Sequence, residues 1–329
     1  MKILEGISQI AKVKPGCVLT IGNFDGVHLG HQAILAAAKQ AAADRATELL
    51  AMVFEPHPLT VLFPDKAPGT LTPLPLKTHL LAELQVDRLI VLQSTVEMLA
   101  LTPEEFVQRF LVENIRPSLV VEGESFNFGA ARAGSVETLR ALAPDSGFDV
   151  SVVPARLVRL STGQTVTVSS TAIRNMLENG SVTDAATALG RPYRLIGRVI
   201  PGRGKGKRLG FPTANMQPLP QLIPAQAVYA GTVQIADTTE GVCKRRQMRP
   251  AALSIGRAQT LAGDHPQLIE AHILTGRVGD LHGKWLAMDF IERIRSQQKF
   301  KTETDLTAQI AKDCKKAKEI LATHGNTCR

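Results

Sequence analysis

The sequence predicts two modules: an α/β domain with a parallel sheet and helices on both faces, then a small antiparallel β-barrel closed by a C-terminal helix. Three observations carry this. Short, wholly apolar runs alternate with helical patterns through the first half, as in strands buried on both faces. Through the second half, strand-like runs follow one another between Gly, Pro and charged clusters. The charge also changes sign between the halves: up to Ala188 there are 15 Lys+Arg against 19 Asp+Glu, and from Leu189 there are 23 against 11. At roughly 150 residues per domain, 329 residues suit two domains.

The elements follow in order. Val18 to Gly22 is a short apolar strand, and Gly26 to Arg45 is Ala-rich and helical. Leu49 to Phe54 reads as a buried strand, Leu76 to Leu84 as a helix and Arg88 to Leu92 as a strand. Pro103, suited to the first helical position, opens a helix to Asn114. Leu119 to Val121 and Asp149 to Val153 are further strands. Ser170 to Glu178 is helical and stops at Asn179-Gly180; Ser181 to Asp184 then reads as a capping box for a helix ending at Gly190. The texture changes near Ala186 to Pro192, which sets the domains at 1–187 and 188–329. Barrel strands are expected at Leu195–Ile200, Val228–Ile235, Ala251–Ile255, Leu268–Leu274 and Trp285–Ile291. A last helix starts at Thr302 and buries Leu306, Ile310, Cys314, Ala317 and Leu321.

Composition narrows the function classes. Hydrophobic residues make up 44% and charged residues 21%, which excludes collagen-like, mucin-like and largely disordered chains. With aromatics at 4%, the core must rest on Ala, Val, Leu and Ile. Cys17, Cys243, Cys314 and Cys328 stand in no metal-ligand spacing and form no disulfide framework. No signal-peptide pattern opens the chain, and no run approaches the ~18 apolar residues of a membrane span. A cytoplasmic location is the expectation. The net charge of +8 lies in the second half and favours an anionic partner: nucleic acid, an acidic membrane or a phosphorylated small molecule.

Two places carry chemistry. The first is Thr20-Ile21-Gly22-Asn23-Phe24-Asp25-Gly26-Val27-His28-Leu29-Gly30-His31, between the first strand and the first helix. His28 and His31 share a helix face in the first turn, where free backbone N–H groups and the helix dipole favour an anion. Imidazole donors there suit stabilisation of charge on a phosphate. A second segment, Val168-Ser169-Ser170-Thr171-Ala172-Ile173-Arg174, enters a helix and offers hydroxyls, backbone N–H groups and a guanidinium for phosphate oxygens. The other place is the basic loop from Gly197 to Asn215, with Gly202, Gly206 and Gly210 ahead of Pro212-Thr213-Ala214-Asn215. It lacks the Ser or Thr of a P-loop in the required frame, but it has the same physics of backbone donors and nearby cations. Thr213 and Asn215 can face Mg²⁺. Seven cations from Arg191 to Arg208 border this loop and are expected to form a phosphate-binding field.

The His-x-Gly-His and Ser-Ser-Thr segments resemble the signatures of the nucleotidyltransferase superfamily, whose members move an AMP or CMP group from a nucleoside triphosphate. The Gly197–Asn215 run resembles bacterial riboflavin kinase. Together the chain is similar to the bifunctional riboflavin kinase/FAD synthetases over nearly its whole length, helped by Phe54-Glu55-Pro56-His57-Pro58, Phe126-Asn127-Phe128-Gly129 and Glu270-Ala271-His272. The resemblance implies a Rossmann-like nucleotidyltransferase domain followed by a kinase barrel. It also implies ATP, riboflavin, FMN and FAD as substrates or products, with Mg²⁺.

Residue by residue, it implies His28, His31 and Arg174 as catalytic groups of adenylyl transfer and Glu270 as the base of the kinase. It implies Gly22, Asn23, Phe24, Asp25, Gly30, Ser169, Ser170 and Thr171 at one ATP, and Gly202, Gly206, Gly210, Pro212, Thr213 and Asn215 at the other. Phe54, Pro56, Ser125, Phe126 and Phe128 are implied for the flavin. Ser125 stands where many members have an acidic or amide residue, Asn127 where they have a basic one, and Gln259-Thr260 where they have Pro-Thr. The alternatives are a related nucleotidyltransferase and a basic RNA-binding protein. Neither nucleic acid nor a membrane is expected as partner, and homo-oligomerisation is left open.

Overall fold

The computed structural model describes residues 1–10, 13–202, 204–257, 267–276 and 279–327. Arg203, Gln259, Thr260 and Cys328 lie outside the described residues. Contacts divide the chain into two compact units: Met1–Leu157 with Thr167–Ser169, and Val158–Val166 with Ser170–Arg329.

The first unit is built on a six-stranded sheet. Its strands are β1 (Lys2–Glu5), β2 (Val18–Ile21), β3 (Leu49–Glu55), β4 (Arg88–Gln93), β5 (Leu119–Gly123) and β6 (Asp149–Val153). They lie in the order β1-β4-β3-β2-β5-β6, and every neighbouring pair is parallel. β1 has no apolar run to announce it; it is an edge strand recruited by pairing Lys2–Glu5 with Arg88–Val91. Four-residue β2 is wholly buried, which is why it reads as a continuous apolar run. Alternation sends Leu19 and Ile21 to one face, where they join Phe106, Phe110, Phe128 and Leu139. Helix α1 (Leu29–Asp44) packs on β2 and β5 and buries Leu35, Ala38 and Ala42. Helix α2 (Leu74–Glu83) follows β3.

The expected helix at Pro103–Asn114 begins at Pro103, with a Thr102–Glu105 capping box, but widens to a π-helix over Val107–Ile115. The wide turns deliver Phe110, Leu111 and Ile115 to the core.

In the second unit, α3 (Ser170–Glu178) and α4 (Val182–Leu189) precede the barrel. The expected capping box at Ser181 does not form: Ser181 makes no side-chain cap. The Asp184 carboxylate instead accepts from the Ser161 N–H at 2.7 Å and hydroxyl at 3.1 Å. The barrel strands are β7 (Tyr193–Ile200), β8 (Ala214–Pro218), β9 (Ala227–Ala236), β10 (Arg249–Arg257), β11 (Gln267–Ile273) and β12 (Trp285–Ser296). They close in the order β7-β8-β11-β10-β9-β12, so no ladder edge is left open. β8 gave no strand signal in sequence, because its Ala-Asn-Met-Gln-Pro run is not an apolar alternation. Tyr193, Tyr229 and Phe290 fill the centre, with Tyr229 edge-on to Phe290 at 5.2 Å.

The barrel also encloses a charge pair. Arg194 and Asp289 face one another across β7 and β12. The guanidinium donates to both carboxylate oxygens, at 2.7 and 2.9 Å, and to the Val242 carbonyl at 2.9 Å. Such a pair is tolerable inside a core only when its donors and acceptors are all used. Arg198 lies over the Trp285 ring at 4.7 Å and donates to the Gly283 carbonyl. The expected phosphate-binding field from Arg191 to Arg208 is corrected at two positions: Arg194 and Arg198 are structural, and Arg191 donates to the Leu189 carbonyl. Helix α5 (Glu303–Thr327) covers β9 and β10 with Ala317 and Ile320. It starts where Thr302 accepts the Asp305 N–H, and Arg295 clamps it through Asp313 at 2.7 Å.

Arg194→Met leaves Asp289 buried with only Arg245, at 3.6 Å, as its cation. Losing one partner of a buried pair costs about 3–5 kcal/mol. The calorimetric transition of the second unit should fall accordingly while that of the first stays in place, and Arg194→Met with Asp289→Leu should recover most of the loss.

Candidate active sites

The first site begins where β2 stops. Gly22 to His28 must turn from strand to helix within seven residues, and Phe24 and Val27 do so with φ of 46° and 40°. Left-handed backbone is costly for a β-branched residue such as Val27, so neighbours must hold it. They do so through Asp25. Its buried carboxylate accepts the Leu71 N–H at 3.0 Å and the Thr72 N–H at 2.9 Å, and the Thr72 hydroxyl accepts the Gly26 N–H at 2.9 Å. Asp25 is thus committed to the Leu71–Thr72 backbone. The Asn23 amide lies 3.2 Å from Nε2 of His57, which caps the short helix Pro58–Leu62.

His28 is the N-cap of α1 and His31 lies in its first turn. The His28 Nδ1 accepts the His31 N–H at 3.3 Å, and the two rings stack at 3.6 Å with 14° between planes. In a neutral ring, an accepting Nδ1 leaves the proton on Nε2, which becomes a donor. Gly30 makes room for this: a Cβ there would sit 3.1 Å from the His28 ring. The spacing of the two histidines in sequence becomes a stacked pair at a helix N-terminus.

Two charged residues near this loop carried no sequence signal. Lys77, in the first turns of α2, is buried with its Nζ 3.8 Å from Glu55, and burial holds its amine below the usual lysine range. Glu122, on β5, is buried and accepts the Ile21 N–H. Burial pushes its carboxyl well above the ordinary carboxylate range. A single Lys in an amphipathic helix, or a single Glu after an apolar run, looks like a solvated residue until the tertiary structure buries it.

The aromatic residues expected at the flavin divide by burial. Phe128 is buried against Phe106, centroids 5.7 Å apart, and packs with the core. Phe126 stacks on Phe128 at 5.4 Å and is partly exposed, as is Phe54. Pro56 and Ser125 are exposed. Within the second unit, Ser170 is the first residue of α3 and Arg174 lies on its partly exposed side, while Ile173 and Leu177 face inward; Thr171 is exposed. Ser169, just before α3, is half-buried in the first unit.

The second site sits on β8 and β11. Asn215 lies directly opposite Glu270 in the ladder, and the Thr213 hydroxyl donates to Glu270 Oε1 at 3.3 Å. On the same face of β11, the His272 Nδ1 donates to the Pro212 carbonyl at 2.8 Å. The glycine-rich loop passes over Asn215: a Cβ at Gly202 would fall 2.1 Å from the Asn215 amide. A Cβ at Gly206 would fall 2.5 Å from the Phe211 carbonyl, and Gly210 has φ +86°. A cleft of about 480 Å³ opens nearby, lined by Gln226, Arg257, Gln297, Lys299, Phe300 and Leu306 among others. Gln297 ties it to the site, since its Nε2 donates to the Ser254 hydroxyl at 3.1 Å and Ser254 lies opposite Glu270. Two nearby cations are engaged locally: Lys244 pairs with Glu240 and Arg245 donates to the Pro192 carbonyl.

Two separate glycine-bearing loops, one ahead of a helix N-terminus and one against a strand pair, are an arrangement suited to a transferase of phosphate-bearing groups. The comparisons give the family. The family model described as FAD synthetase matches residues 10–172, and that described as riboflavin kinase matches residues 189–321. A bifunctional riboflavin kinase/FMN adenylyltransferase of Escherichia coli strain K12 is 36% identical over 98% of each chain, and one of Pseudomonas fluorescens is 34% identical over 98% of each. The chain belongs to the bifunctional riboflavin kinase/FMN adenylyltransferase family. A crystal structure described as a macrolide-efflux protein of Streptococcus pneumoniae shares the fold, with a TM-score of 0.81 and 26% identity over 95% of this chain and 97% of that one. No helix among the described residues is long and apolar enough to cross a membrane.

Asp25→Ala should strip the Leu71 and Thr72 amides of their acceptor. Leaving two buried N–H groups unpaired costs roughly 2–5 kcal/mol. Urea unfolding of the first unit should shift by that amount, with faster amide exchange at Leu71 and Thr72.

Proposed function

We propose that the chain makes FAD in two ATP-dependent steps. Residues 188–329 phosphorylate riboflavin to FMN, and residues 1–187 adenylylate FMN to FAD with release of pyrophosphate. The observation that carries the first step is the Glu270–Thr213 pair opposite Asn215. The riboflavin 5′-hydroxyl must lose a proton as its oxygen attacks the γ-phosphate of ATP, and Glu270 is the carboxylate placed to take it. Without a Cβ at Gly202 and Gly206 the loop closes against Asn215 and the Phe211 carbonyl, and on this reading the loop of Gly202, Gly206, Gly210 and Pro212 follows the ATP phosphates.

The donor set fits Mg²⁺. Thr213 and Asn215 supply hard oxygens beside the Glu270 carboxylate, and the missing Cβ of Gly202 lets the loop close on the Asn215 amide. Among the described residues no cluster of three or more His, Cys, Asp or Glu is placed to hold a metal. That accords with an ion shared between one or two protein oxygens and substrate phosphates. Thr213 and Asn215 would hold it, and it would supply charge neutralisation at the phosphates. The cleft along Gln297 to Leu306 offers an aromatic ring, amides and cations to the riboflavin ring beside Glu270.

In the second step the FMN phosphate attacks the α-phosphate of ATP and the α–β bridge oxygen leaves with pyrophosphate. The nucleophile is already an anion, so no base is required, and positioning with charge stabilisation dominates. The stacked His28 and His31 donate to the reacting phosphates at the N-terminus of α1. Gly22, Asn23, Phe24 and Gly30 shape the nucleotide loop, and Asp25 acts by holding it. Ser169, Ser170, Thr171 and Arg174 are proposed, on their sequence motif, to hold phosphate oxygens of this step. Phe54, Pro56, Ser125 and Phe126 offer the flavin surface, with Phe128 supporting it from the core. On this reading ATP, riboflavin and FMN are the partners, neither nucleic acid nor a membrane is needed, and the reactions run in the cytoplasm.

Two outcomes follow. His28→Ala with His31→Ala should still form FMN from riboflavin, ATP and Mg²⁺ but lose FAD formation by about 10²–10³-fold, the scale of removing transition-state donors. Glu270→Ala, supplied with FMN, should form FAD at the wild-type rate while FMN formation falls by roughly 10²–10⁴-fold. Chromatographic separation of the flavins reads both. Loss of both steps in either folded variant would refute the two-site assignment.

A further inference from the structure

The ladder between β2 and β5 stops early. β2 pairs with β3 along its whole length, from Val18↔Leu49 to Ile21↔Met52, but with β5 only at Val18↔Leu119 and Leu19↔Val120. Val18 and Gly22 donate their N–H groups to β3, to the Glu48 and Met52 carbonyls. By the two-residue alternation of a strand, the Ile21 N–H points the other way, toward β5, where the backbone has already diverged. This is the middle of the sheet, where β3 and β4 continue to one side and β5 and β6 to the other. A crevice opens at such a reversal of strand order. The Glu122 side chain fills the gap, and its Oε1 accepts the Ile21 N–H. The next residues of the chain, Gly22 to His31, are the nucleotide loop.

We propose that Glu122 is a positioning residue for adenylyl transfer: it replaces the missing ladder partner of Ile21 and so fixes the strand end from which the Gly22–His31 loop departs. The inference rests on the reading of the first unit as an adenylyltransferase. Any acceptor of the right reach would satisfy the amide, but an apolar side chain would leave it buried and unpaired.

The surroundings decide which form of the carboxyl does this. Burial raises its pKa, whereas the Ile21 N–H and the nearby Thr20 hydroxyl favour ionisation more weakly. From β6 it is faced by Val152, and the face it shares with Val120 is the aromatic and aliphatic cluster of Phe106, Phe110 and Phe128. No ionised side chain of these elements acts on it. Asp25, the nearest acidic residue of the loop in sequence, is engaged with Leu71 and Thr72. The balance favours the protonated carboxyl over the ionised one. The native state holds a proton that the unfolded chain releases above the ordinary carboxylate range, so stability of the first unit declines as pH rises from there.

The test uses the full chain with Glu122→Gln and Glu122→Val, reading FMN formation and FAD formation from supplied FMN across pH. A glutamine keeps the acceptor and cannot ionise. Glu122→Gln should keep the FAD-forming kcat within about twofold and flatten the fall of thermal stability with pH. Glu122→Val should lower the FAD-forming kcat by about 10- to 100-fold, the scale of a small misplacement, with the FMN-forming step unchanged and faster amide exchange at Ile21. Wild-type kcat in Glu122→Val, equal loss of both steps, or a Glu122→Gln as impaired as Glu122→Val would each overturn the proposal. Wild-type protein that forms FMN but no FAD would instead overturn the reading of the first unit, and the proposal with it.

Discussion

A buried backbone N–H must have an acceptor, and much of this structure follows from where the ladders stop supplying one. The Gly22–His31 loop leaves the C-terminal end of β2, past the last pairing with β5. There the Ile21 amide turns to Glu122. A few residues on, the Leu71 and Thr72 amides turn to Asp25, and the Gly26 amide turns to Thr72. In the barrel, Gln221 performs the same task for β7, accepting the Ile196 N–H and donating to the Arg194 carbonyl. Glu122 and Gln221 stand in for a missing strand, while Asp25 and Thr72 satisfy amides of loops. Such substitution lets a sheet end abruptly and still hold a rigid loop at its edge.

The two sites meet this constraint differently. In the first unit, a helix N-terminus supplies the free donors, so the sheet has only to deliver the chain to α1 in the right direction. Left-handed turns at Phe24 and Val27 accomplish that at a cost in backbone energy which the Asp25 hydrogen bonds offset. In the barrel, the glycine-rich loop carries one short helix, Lys205–Arg208. The loop lies against Asn215 through Gly202, and the strand pair β8–β11 places Thr213, Asn215 and Glu270 in one row. Closure of the barrel fixes that row, because β11 is held on both sides by β8 and β10.

Charge illustrates how far a pattern in sequence can mislead. The second half holds 23 Lys+Arg against 11 Asp+Glu, and seven of those cations crowd Arg191 to Arg208. Density alone points to a phosphate field. Yet Arg194 is sealed against Asp289, Arg198 covers Trp285, and Arg295 pins α5 through Asp313. Arginine serves these roles because its guanidinium can use several acceptors at once in a buried place. Part of the excess is the frame of the barrel rather than its ligand field.

The sequence by itself determined the order of the modules, most strands of the six-stranded sheet and of the barrel, and where the two glycine-bearing loops fall, because these depend on local features: apolar runs, glycines, and a helix start. It also placed His28 beside His31, since three residues on a helix are neighbours whatever the tertiary fold. It did not reveal β1 and β8, whose residues become strands only because a partner strand is waiting. It could not separate Phe128 in the core from Phe126 at its edge. Nor could it mark Lys77 and Glu122, which are ordinary charged residues until the fold removes water from them. Burial and pairing join residues far apart in the chain, as Ile21 and Glu122 are, and only the tertiary structure decides them.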